Sequence, residues 1–426
     1  MPFPSDPIAF LFSLERLGMK FGLGNINALC AALDHPERAF RSIIIAGTNG
    51  KGSVTVMVET ALRAAGHRTA RYTSPHLVRL EERFVIDGKE VETAALRDAA
   101  LRVRTVVESL LGQGILEEPP TFFECTTAVG FELFRRGGVD IAVLEVGLGG
   151  RLDATNVVTP IAAAITTIDF DHQEQLGSTL ASIAREKAGV IKAGVPVICG
   201  LLPPDAERVV REVCDERGSR MILAEDAVRV SVRGPELDFT TRVRTLDNVR
   251  LALEGAHQRQ NAAVAVALLD ELAQTGTPVP DEAVREGLTQ AAWPARIERF
   301  QAGGTEFLLD AAHNPAGARA LAAYLAESGW KDITLVFGAM RDKDVRGMLE
   351  ALVPSCGLIV CTTAPTPRAL PAEALAAMAV DVSRGRTEVE TVGNPEAAVE
   401  HARRRGRAVV VAGSIFLIGP LRDILR

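Results

Sequence analysis

Short hydrophobic runs, often β-branched, alternate along the chain with longer segments rich in Ala, Leu, Glu and Arg. The short runs lack a polar face, which is typical of parallel strands buried on both sides, and the intervening segments are long enough for helices. The pattern predicts an α/β protein with a mainly parallel sheet. The predicted strands are Ser42–Ala46, Ile141–Val146, Ala162–Ile168, Pro196–Cys199, Phe307–Leu309, Ile333–Phe337, Leu358–Thr362 and Ala408–Ala412, and the predicted helices include Ser53–Ala65, Thr121–Arg136 and Thr179–Ile191.

The strand and helix alternation begins a second time after the segment WPARIER at 293–299. An Ala-rich helix over 261–272 and a Pro, Gly and Thr stretch over 275–281 come before this segment. We therefore predict two domains, 1–295 and 296–426, of which the smaller second domain follows the doubly wound plan. The topology of 203–250 stays open, apart from a short helix over 205–217.

Composition narrows the classes of partner. The 426 residues carry a net charge of −7, which disfavours broad nucleic-acid binding but leaves room for a local anion site. The six cysteines form no C-x-x-C pair, so we expect buried thiols in a reducing cytosol rather than disulfides or zinc ligands. The N-terminus lacks signal-peptide features, and the apolar runs fall short of the roughly 20 residues of a membrane span. We expect a cytoplasmic protein without membrane or nucleic-acid partners.

A glycine-rich loop, GTNGKGS at 47–53, joins the first predicted strand to the next helix. Such glycines let backbone N–H groups converge, the helix N-terminus adds its dipole, and Lys51 adds a full charge. The loop therefore predicts polyphosphate binding. Its spacing departs from G-x-x-x-x-G-K-[ST], because Ile45 stands six residues before Lys51 and Ser53 two after it. The alternative is an ordinary Gly-rich turn with an exposed lysine.

Two further candidates follow predicted strands. Glu145 ends an apolar strand and needs a cation, either Mg²⁺ on a phosphate or Arg151. His172 follows the next strand, and a single histidine there is more often a surface or packing residue. Because parallel strands end at one edge, we expect the loop, Glu145 and His172 to converge. Lys187, taken alone, would be a solvated lysine paired with Glu186.

Several long motifs occur in a fixed order: GTNGKGS at 47–53, TSPHL at 73–77, EVGLGGRLDATN at 145–156, DH at 171–172, EKAG at 186–189, HQxxNA at 257–262 and DxAHNP at 310–315. In this order the sequence resembles folylpolyglutamate synthase and dihydrofolate synthase, of the Mur ligase superfamily, over essentially the whole chain. TSPHL and GKGS point to the folate branch. Ala311 stands where the family often has glycine, and GSIFL at 413–417 lacks the family's tyrosine.

The resemblance implies a P-loop Mur-ligase-type central domain and a smaller, Rossmann-like C-terminal glutamate-ligase domain. It implies an ATP-dependent amide ligase that adds L-glutamate to a folate-type carboxylate through an acyl phosphate and releases ADP and phosphate. The acceptor stays open between a tetrahydrofolate, which would be polyglutamylated, dihydropteroate, which would give dihydrofolate, or both. ATP and two Mg²⁺ ions are the implied cofactors, and we expect a monomer.

The resemblance also assigns site residues. The ATP contacts are Thr48, Asn49, Gly50, Lys51, Gly52, Ser53, Asn261, Arg296, Asp310 and His313, where Arg296 would reach the phosphates only on domain closure. Ser74 and Glu145 match ligands of one Mg²⁺ and His172 a ligand of the second, while Lys187 matches the family's carbamylated lysine. Lys51, Lys187, His172 and Glu145 form the implied catalytic set.

For the pterin-bearing substrate, the family contacts fall on Lys20, Phe21, Gly22, Thr121, Phe122, Phe123, Glu124, Leu152, Asp153 and Ala154. Phe122 and Phe123 either stack on the flat heterocycle or pack in the core at a helix start.

Two other functions stay open. One is a Mur-type ligase acting on another acidic substrate, such as a UDP-muropeptide; the loop begins at residue 47, so we expect no N-terminal UDP-binding domain. The other is a P-loop kinase or a nucleotide-binding protein. Glu145, His172 and Lys187 together disfavour the latter, since simple nucleotide binding needs no second metal site.

Overall fold

The computed structural model describes residues 3–18 and 20–425. These residues divide into two compact units. The first comprises the described residues up to Ala252 together with Gln260–Ala291, and the second comprises Leu253–Arg259 and the residues from Ala292 onward. The segment WPARIER lies in the second unit.

The described residues of the first unit form an eight-stranded sheet in the order β4-β3-β2-β5-β1-β6-β7-β8, with β3 and β4 antiparallel to their neighbours and the others parallel. The register pairs Ile45 of the first strand with Glu145 on one side and Ala164 on the other, so three strand ends lie side by side. The strands are β1 (Arg41–Ala46), β2 (Thr69–Tyr72), β3 (Phe84–Ile86), β4 (Lys89–Glu90), β5 (Ile141–Glu145), β6 (Ala162–Ile165), β7 (Val197–Cys199) and β8 (Met221–Leu223).

Helices cover this sheet and bury its apolar strands. One apolar cluster packs the strands against α1, α2, α4 and α5, and a second packs them against α7 and α8. The helices are α1 (Pro7–Ser13), α2 (Gly24–Ala32), α3 (Lys51–Ala64), α4 (Thr93–Gly112), α5 (Phe122–Arg136), α6 (Gln173–Leu176), α7 (Leu180–Ala188), α8 (Pro204–Arg217), α9 (Ala224–Ala227), α10 (Ala256–Gln274) and α11 (Asp281–Thr289), and short 3₁₀ turns occupy Leu14–Leu17, Pro36–Arg38, Leu80–Arg83 and Ala154–Val157.

The region 203–250, whose topology the sequence left open, ends in a small antiparallel sheet. Its strands are β9 (Arg229–Arg233), β10 (Glu236–Thr240) and β11 (Thr245–Val249), in the order β11-β10-β9. The buried Arg244 fastens this sheet to the helices, because its guanidinium bonds to Asp270, to Asp281 and to the carbonyl oxygen of Val279.

The second unit holds a six-stranded sheet in the order β12-β13-β17-β14-β15-β16, parallel except for β12 at one edge. Its strands are β12 (Glu298–Ala302), β13 (Thr305–Asp310), β14 (Ile333–Phe337), β15 (Cys356–Cys361), β16 (Glu388–Thr391) and β17 (Ala408–Ala412); its helices are α12 (Pro315–Glu327), α13 (Val345–Leu352), α14 (Ala372–Ser383), α15 (Pro395–Arg405) and α16 (Ile415–Leu425), with a 3₁₀ turn at Val353–Ser355. The predicted α/β class, with mainly parallel sheets, is confirmed.

Some predicted boundaries are wrong. The predicted strand Ala162–Ile168 ends at Ile165, because the next two residues, both threonines, bond to the glycine-rich loop. The predicted helix Thr179–Ile191 ends at Ala188. All six cysteines are buried free thiols, as expected. Among the described residues, no helix is long and apolar enough to cross a membrane.

Candidate active site

The glycine-rich loop between β1 and α3 is pinned to the chain that follows β6. The Thr48 N–H donates to the carbonyl of Thr167 at 2.8 Å, and its hydroxyl donates to the carbonyl of Asp169 at 3.1 Å. The Asn49 N–H donates to the Thr167 hydroxyl at 3.0 Å, and the Thr166 hydroxyl donates to the Asn49 carbonyl at 2.6 Å. These bonds fix the loop backbone at the carboxyl edge of the sheet.

The N-terminus of α3 lies at the centre of this loop. Gly50 has φ +84°, and a Cβ there would lie 2.3 Å from Oδ1 of the buried Asn261, so only glycine fits. Within the described chain, no side chain caps the helix start at Lys51. The first-turn N–H groups, which include those of Gly52 and Ser53, lack intrahelical partners and carry the positive end of the helix dipole. The loop is built to bind an anion, with Asn261 against it.

Two lysines reach the same carbonyl oxygen of this loop. Lys51 Nζ donates to the Gly47 carbonyl at 3.1 Å and to the Thr48 carbonyl at 3.2 Å, and Lys187 Nζ donates to the Gly47 carbonyl at 2.9 Å. Lys187 is only 4% exposed. Burial, reinforced by the charge of Lys51, lowers the pKa of Lys187 to about 7, although the nearby carboxylate of Asp171 opposes this change. Lys187 is therefore near half-neutral at pH 7.

Close packing of α7 against the loop after β5 holds Lys187 in place. A Cβ on Gly189 would lie 2.4 Å from the Cα of Arg151. The Arg151 guanidinium bonds to the Glu186 carboxylate, at 2.8 Å from Nη2 to Oε1. Two alternatives from the sequence are therefore wrong: Arg151 does not neutralise Glu145, and Lys187 is not a solvated partner of Glu186.

The predicted metal ligands lie at the same sheet edge. Glu145 is 5% exposed, and its Oε2 accepts the Ser74 N–H at 3.2 Å. His172 precedes α6 with φ +50°, and its Nε2 lies 3.8 Å from Oδ1 of Asp171. The described residues contain no group of three or more His, Cys, Asp or Glu side chains that could hold a metal by themselves. The Glu145 carboxylate and the Ser74 hydroxyl beside a phosphate loop fit one Mg²⁺ ion that takes its remaining ligands from the nucleotide and water. Two ions stay a prediction.

The predicted substrate segment 20–22 lies against the turn before α5. Lys20 forms an ion pair with Glu118, and its Nζ also donates to the Pro119 carbonyl at 3.4 Å. Phe21 is 56% exposed, and Gly22 has φ +147° with open space around its Cα. The segment thus offers an aromatic side chain to solvent close to the start of α5.

At the start of α5, two of the predicted contacts are used locally. Thr121 and Glu124 form a capping box: the Glu124 N–H donates to the Thr121 hydroxyl at 3.2 Å, and the Thr121 N–H donates to the Glu124 carboxylate at 2.7 Å. Phe122 is half-buried and stacks on Phe12, with ring centroids 5.8 Å apart, while the guanidinium of Arg83 lies 5.1 Å from its ring. Sequence reasoning missed both partners, which come from distant segments.

The loop after β5 contains the remaining predicted substrate contacts. Asp153 is buried, and its Oδ2 accepts the N–H groups of Gly147 and Leu148, each at 3.0 Å, so it shapes this loop. The Phe123 ring lies against Gly147. Leu152 is half-buried and Ala154 is buried beside Asp153. The structure thus brings the contacts of 121–124 and 152–154 together, and their binding role stays a prediction.

Three predicted nucleotide contacts lie in the second unit. Asp310, at the end of β13, accepts the N–H groups of Ile297 and Ala312, both at 2.9 Å. Burial raises the pKa of Asp310, and the charge of Arg296 counteracts part of this rise. His313 Nδ1 lies 2.9 Å from the carbonyl oxygen of Ala311. Asp310 ends β13 and His313 follows it, whereas Arg296 precedes β12.

The structure adds residues that the sequence reasoning missed. Thr166 and Thr167 hold the loop, and their polarity at the end of an apolar run was the available signal. Asp171 lies near Lys187. Its place in the motif DH at 171–172 was the sequence signal that could have identified it. His76 of TSPHL accepts the Arg83 Nε–H at Nδ1 over 2.9 Å, next to the aromatic pair described above.

Comparisons with known proteins identify the family. The family model described as Mur ligase, glutamate ligase domain matches residues 295–415. The dihydrofolate synthase/folylpolyglutamate synthase of Bacillus subtilis is 33% identical over 99% of each chain. A probable bifunctional folylpolyglutamate synthase/dihydropteroate synthase of Haloferax volcanii is 37% identical over 98% of this chain, which spans 50% of that relative's length.

Solved structures agree along the whole chain. The folylpolyglutamate synthase of Mycobacterium tuberculosis, complexed with ADP and AMPPCP, superposes with a TM-score of 0.90 at 34% identity, covering 99% of each chain. A bifunctional folylpolyglutamate synthase/dihydrofolate synthase with Mn, AMPPNP and L-glutamate bound gives a TM-score of 0.87 at 32% identity, covering 100% of this chain and 99% of the other.

Proposed function

Because the chain belongs to the folylpolyglutamate synthase and dihydrofolate synthase family of Mur ligases, we propose that it uses ATP to join L-glutamate to the carboxylate of a folate-type substrate. The observation that carries this proposal is a second, buried lysine that contacts the phosphate loop from α7: Lys187 Nζ bonds to the same Gly47 carbonyl as Lys51. A loop that only bound a nucleotide would gain nothing from burying a second ammonium group beside the first.

The reaction first brings together two anions, the folate carboxylate and ATP, and then forms an amide. A folate carboxylate oxygen attacks the γ-phosphorus of ATP, and the bond to the ADP oxygen breaks. The neutral amine of glutamate then attacks the acyl carbon, loses a proton and expels phosphate. Lys51 and the N–H groups at the start of α3, including that of Gly52, hold the phosphates and offset the charge that develops as the phosphoryl group passes across.

Lys187 is proposed to react with carbon dioxide. Its neutral amine forms a bond to the CO₂ carbon and loses one proton, which leaves a carbamate. This change turns one of two neighbouring ammonium groups into an anion and removes the repulsion from Lys51 that helps to lower the Lys187 pKa. A pKa of about 7 supports the step, because only the unprotonated amine can add CO₂.

The metal site is proposed at the same edge. Ser74 and Glu145 would hold one Mg²⁺ and His172 a second, and these ions would neutralise phosphate charge when bound. Asn261, beside Gly50, would contact the nucleotide from the first unit.

The remaining contacts keep the roles that the family resemblance gives them. Arg296, Asp310 and His313 would contact the nucleotide from the second unit. The segments 20–22, 121–124 and 152–154 would bind the pterin-bearing substrate, with Phe122 and Phe123 as the aromatic surfaces. We also propose a cytoplasmic monomer.

The test measures ADP release by the purified protein with Mg²⁺ and ATP. Release should require both glutamate and a folate-type acceptor, with dihydropteroate and tetrahydrofolate assayed side by side to decide the acceptor. Turnover that does not depend on glutamate would point to a kinase and refute the proposal. Turnover only with a UDP-muropeptide would refute the folate-type acceptor and indicate the substrate of another branch of the Mur ligases.

A further inference from the structure

Arg296 is flanked by two residues with strained backbones. Ala295 has φ +58° and Ile297 has φ +49°. Positive φ is uncommon for any residue with a Cβ, and a β-branched residue such as isoleucine is a clear outlier there. Both residues are buried, at 0% and 5% exposure, whereas Arg296 between them is half-exposed. Conformations of this kind persist only when the surrounding structure holds them, and they cluster at functional sites.

Hydrogen bonds hold both strained residues from two directions. The Ala311 N–H donates to the Ala295 carbonyl at 2.8 Å, and the Ile297 N–H donates to Oδ2 of Asp310 at 2.9 Å. Both partners belong to the end of β13 or the residue after it. The strained segment is therefore tied to the strand end that also carries the predicted nucleotide contact Asp310.

The third tie comes from the far end of the chain. The Ala295 N–H donates to Oε2 of Glu298 at 2.8 Å, and Arg422 Nε donates to the same Oε2 at 2.8 Å and to Oε1 at 3.0 Å. The two side chains are mostly buried, at 10% exposure for Glu298 and 22% for Arg422. Arg422 of α16 thus fixes the carboxylate that in turn fixes the backbone next to Arg296.

We propose that Glu298 and Arg422 are positioning residues that hold the strained Ala295–Ile297 segment so that the Arg296 guanidinium keeps one direction. This inference rests on the proposed function, in which Arg296 contacts the nucleotide. Neither Glu298 nor Arg422 is among the proposed substrate contacts. Each acts through the backbone of Ala295, and the strain is retained because relaxing either φ would turn the Arg296 side chain away.

The test compares steady-state kinetics of four single variants in the ligation assay, varying ATP at saturating glutamate and folate. Arg296→Ala should lower kcat/KM for ATP. Arg422→Ala should lower it by up to about 100-fold, the cost that a misplacement of about 1 Å can have. Arg422→Lys should recover part of the loss, because an ammonium can still donate to Glu298. Arg403→Ala is the matched control, since Arg403 forms an ion pair with Glu400 on the same unit at 29% exposure, and its kcat/KM should match the wild type.

A double variant separates positioning from general destabilisation. Adding Arg422→Ala to Arg296→Ala should lower kcat/KM for ATP no further, because the group being positioned is already gone. Additive losses would overturn the inference. Wild-type kinetics in Arg422→Ala with a loss in Arg296→Ala would overturn it while leaving the proposed role of Arg296 intact. Wild-type kinetics in Arg296→Ala would refute both.

Glu298→Gln guards against misfolding of the alanine variant, since the amide oxygen still accepts the Ala295 N–H but the ion pair with Arg422 is lost. Its kcat/KM for ATP should fall less than that of Arg422→Ala, with a circular-dichroism spectrum like that of the wild type. Unchanged kcat/KM in a folded Glu298→Gln protein would count against the inference.

Discussion

At the scale of single residues, Lys187 constrains the chemistry most. The residue is 4% exposed, and its ammonium shares the Gly47 carbonyl with that of Lys51. Two neighbouring like charges are unfavourable when one of them is buried, so Lys187 is expected to be neutral or chemically converted in the working enzyme. Carbamylation would convert the Lys187 ammonium into an anionic carbamate. A negative charge at this position can support Mg²⁺ ions bound beside the phosphates.

Replacing this lysine tests the idea. Lys187→Ala should lose most ligation activity, by about 100-fold or more if the carbamate orients the site, and should regain part of it in acetate or propionate. A short carboxylate can occupy the vacated space and restore the negative charge. Lys192→Ala is the control, since Lys192 is also partly buried, with a lowered pKa, and its variant should show no rescue by these acids. Full activity in Lys187→Ala would refute the carbamate.

The pH dependence follows from the direction of the Lys187 shift. Its pKa is lowered to about 7, so the ammonium dominates below pH 7 and the reactive neutral amine above it. At a fixed concentration of dissolved CO₂, activation by CO₂ should therefore rise between pH 6 and pH 8, with the neutral fraction near one-tenth at pH 6. The rescued Lys187→Ala variant should lack this rise. Equal activation at both pH values would contradict the assignment.

At the scale of elements, the end of α7 and the loop after β5 approach each other backbone to backbone. The Arg151 N–H donates to the Glu186 carbonyl at 2.8 Å, and Asn156 Nδ2 donates to the carbonyls of Arg151 and Gly189, both at 3.0 Å. These contacts fix the position of Lys187 relative to the phosphate loop.

Gly189→Ala should disturb both stability and activity. Its Cβ would lie 2.4 Å from the Cα of Arg151, so the loop must move, at a cost of about 1–3 kcal/mol in the free energy of unfolding. Gly112→Ala, at the end of α4 with open space around it, should be neutral or stabilising by up to about 1 kcal/mol. Urea unfolding and ligation assays of both variants provide the measurement. A Gly189→Ala protein as stable and active as Gly112→Ala would show that the contact is not needed.

Hydrophobic patterns predicted the strand cores well and the strand ends poorly. Ile168 is 2% exposed, so its apolar character extended the predicted strand, although β6 ends at Ile165. Burial is what the pattern reports, whereas the end of a strand depends on where the backbone hydrogen bonds go. Here the next residues bond to the glycine-rich loop, which lies more than a hundred residues away in sequence.

At the scale of the whole molecule, the net charge of −7 gives no indication of the local cationic site that Lys51 and Lys187 form at the phosphate loop. Parallel-strand topology was enough to predict that the loop and Glu145 lie at one sheet edge, where Ile45 pairs with Glu145, while the convergence of His172 on them stays a prediction. It was not enough to predict that Arg151 selects Glu186, since that choice depends on the packing of α7. The aromatic pair of Phe12 and Phe122 likewise joins segments with no common sequence signal.

In the proposed reaction, ATP activates a folate-type carboxylate as an acyl phosphate before glutamate attacks. The most direct measurement labels that carboxylate with oxygen-18 and follows the released phosphate by mass spectrometry. The mechanism transfers one carboxylate oxygen to phosphate, so one labelled oxygen should appear in each phosphate released during ligation. Unlabelled phosphate, released with glutamate ligation proceeding normally, would contradict the account.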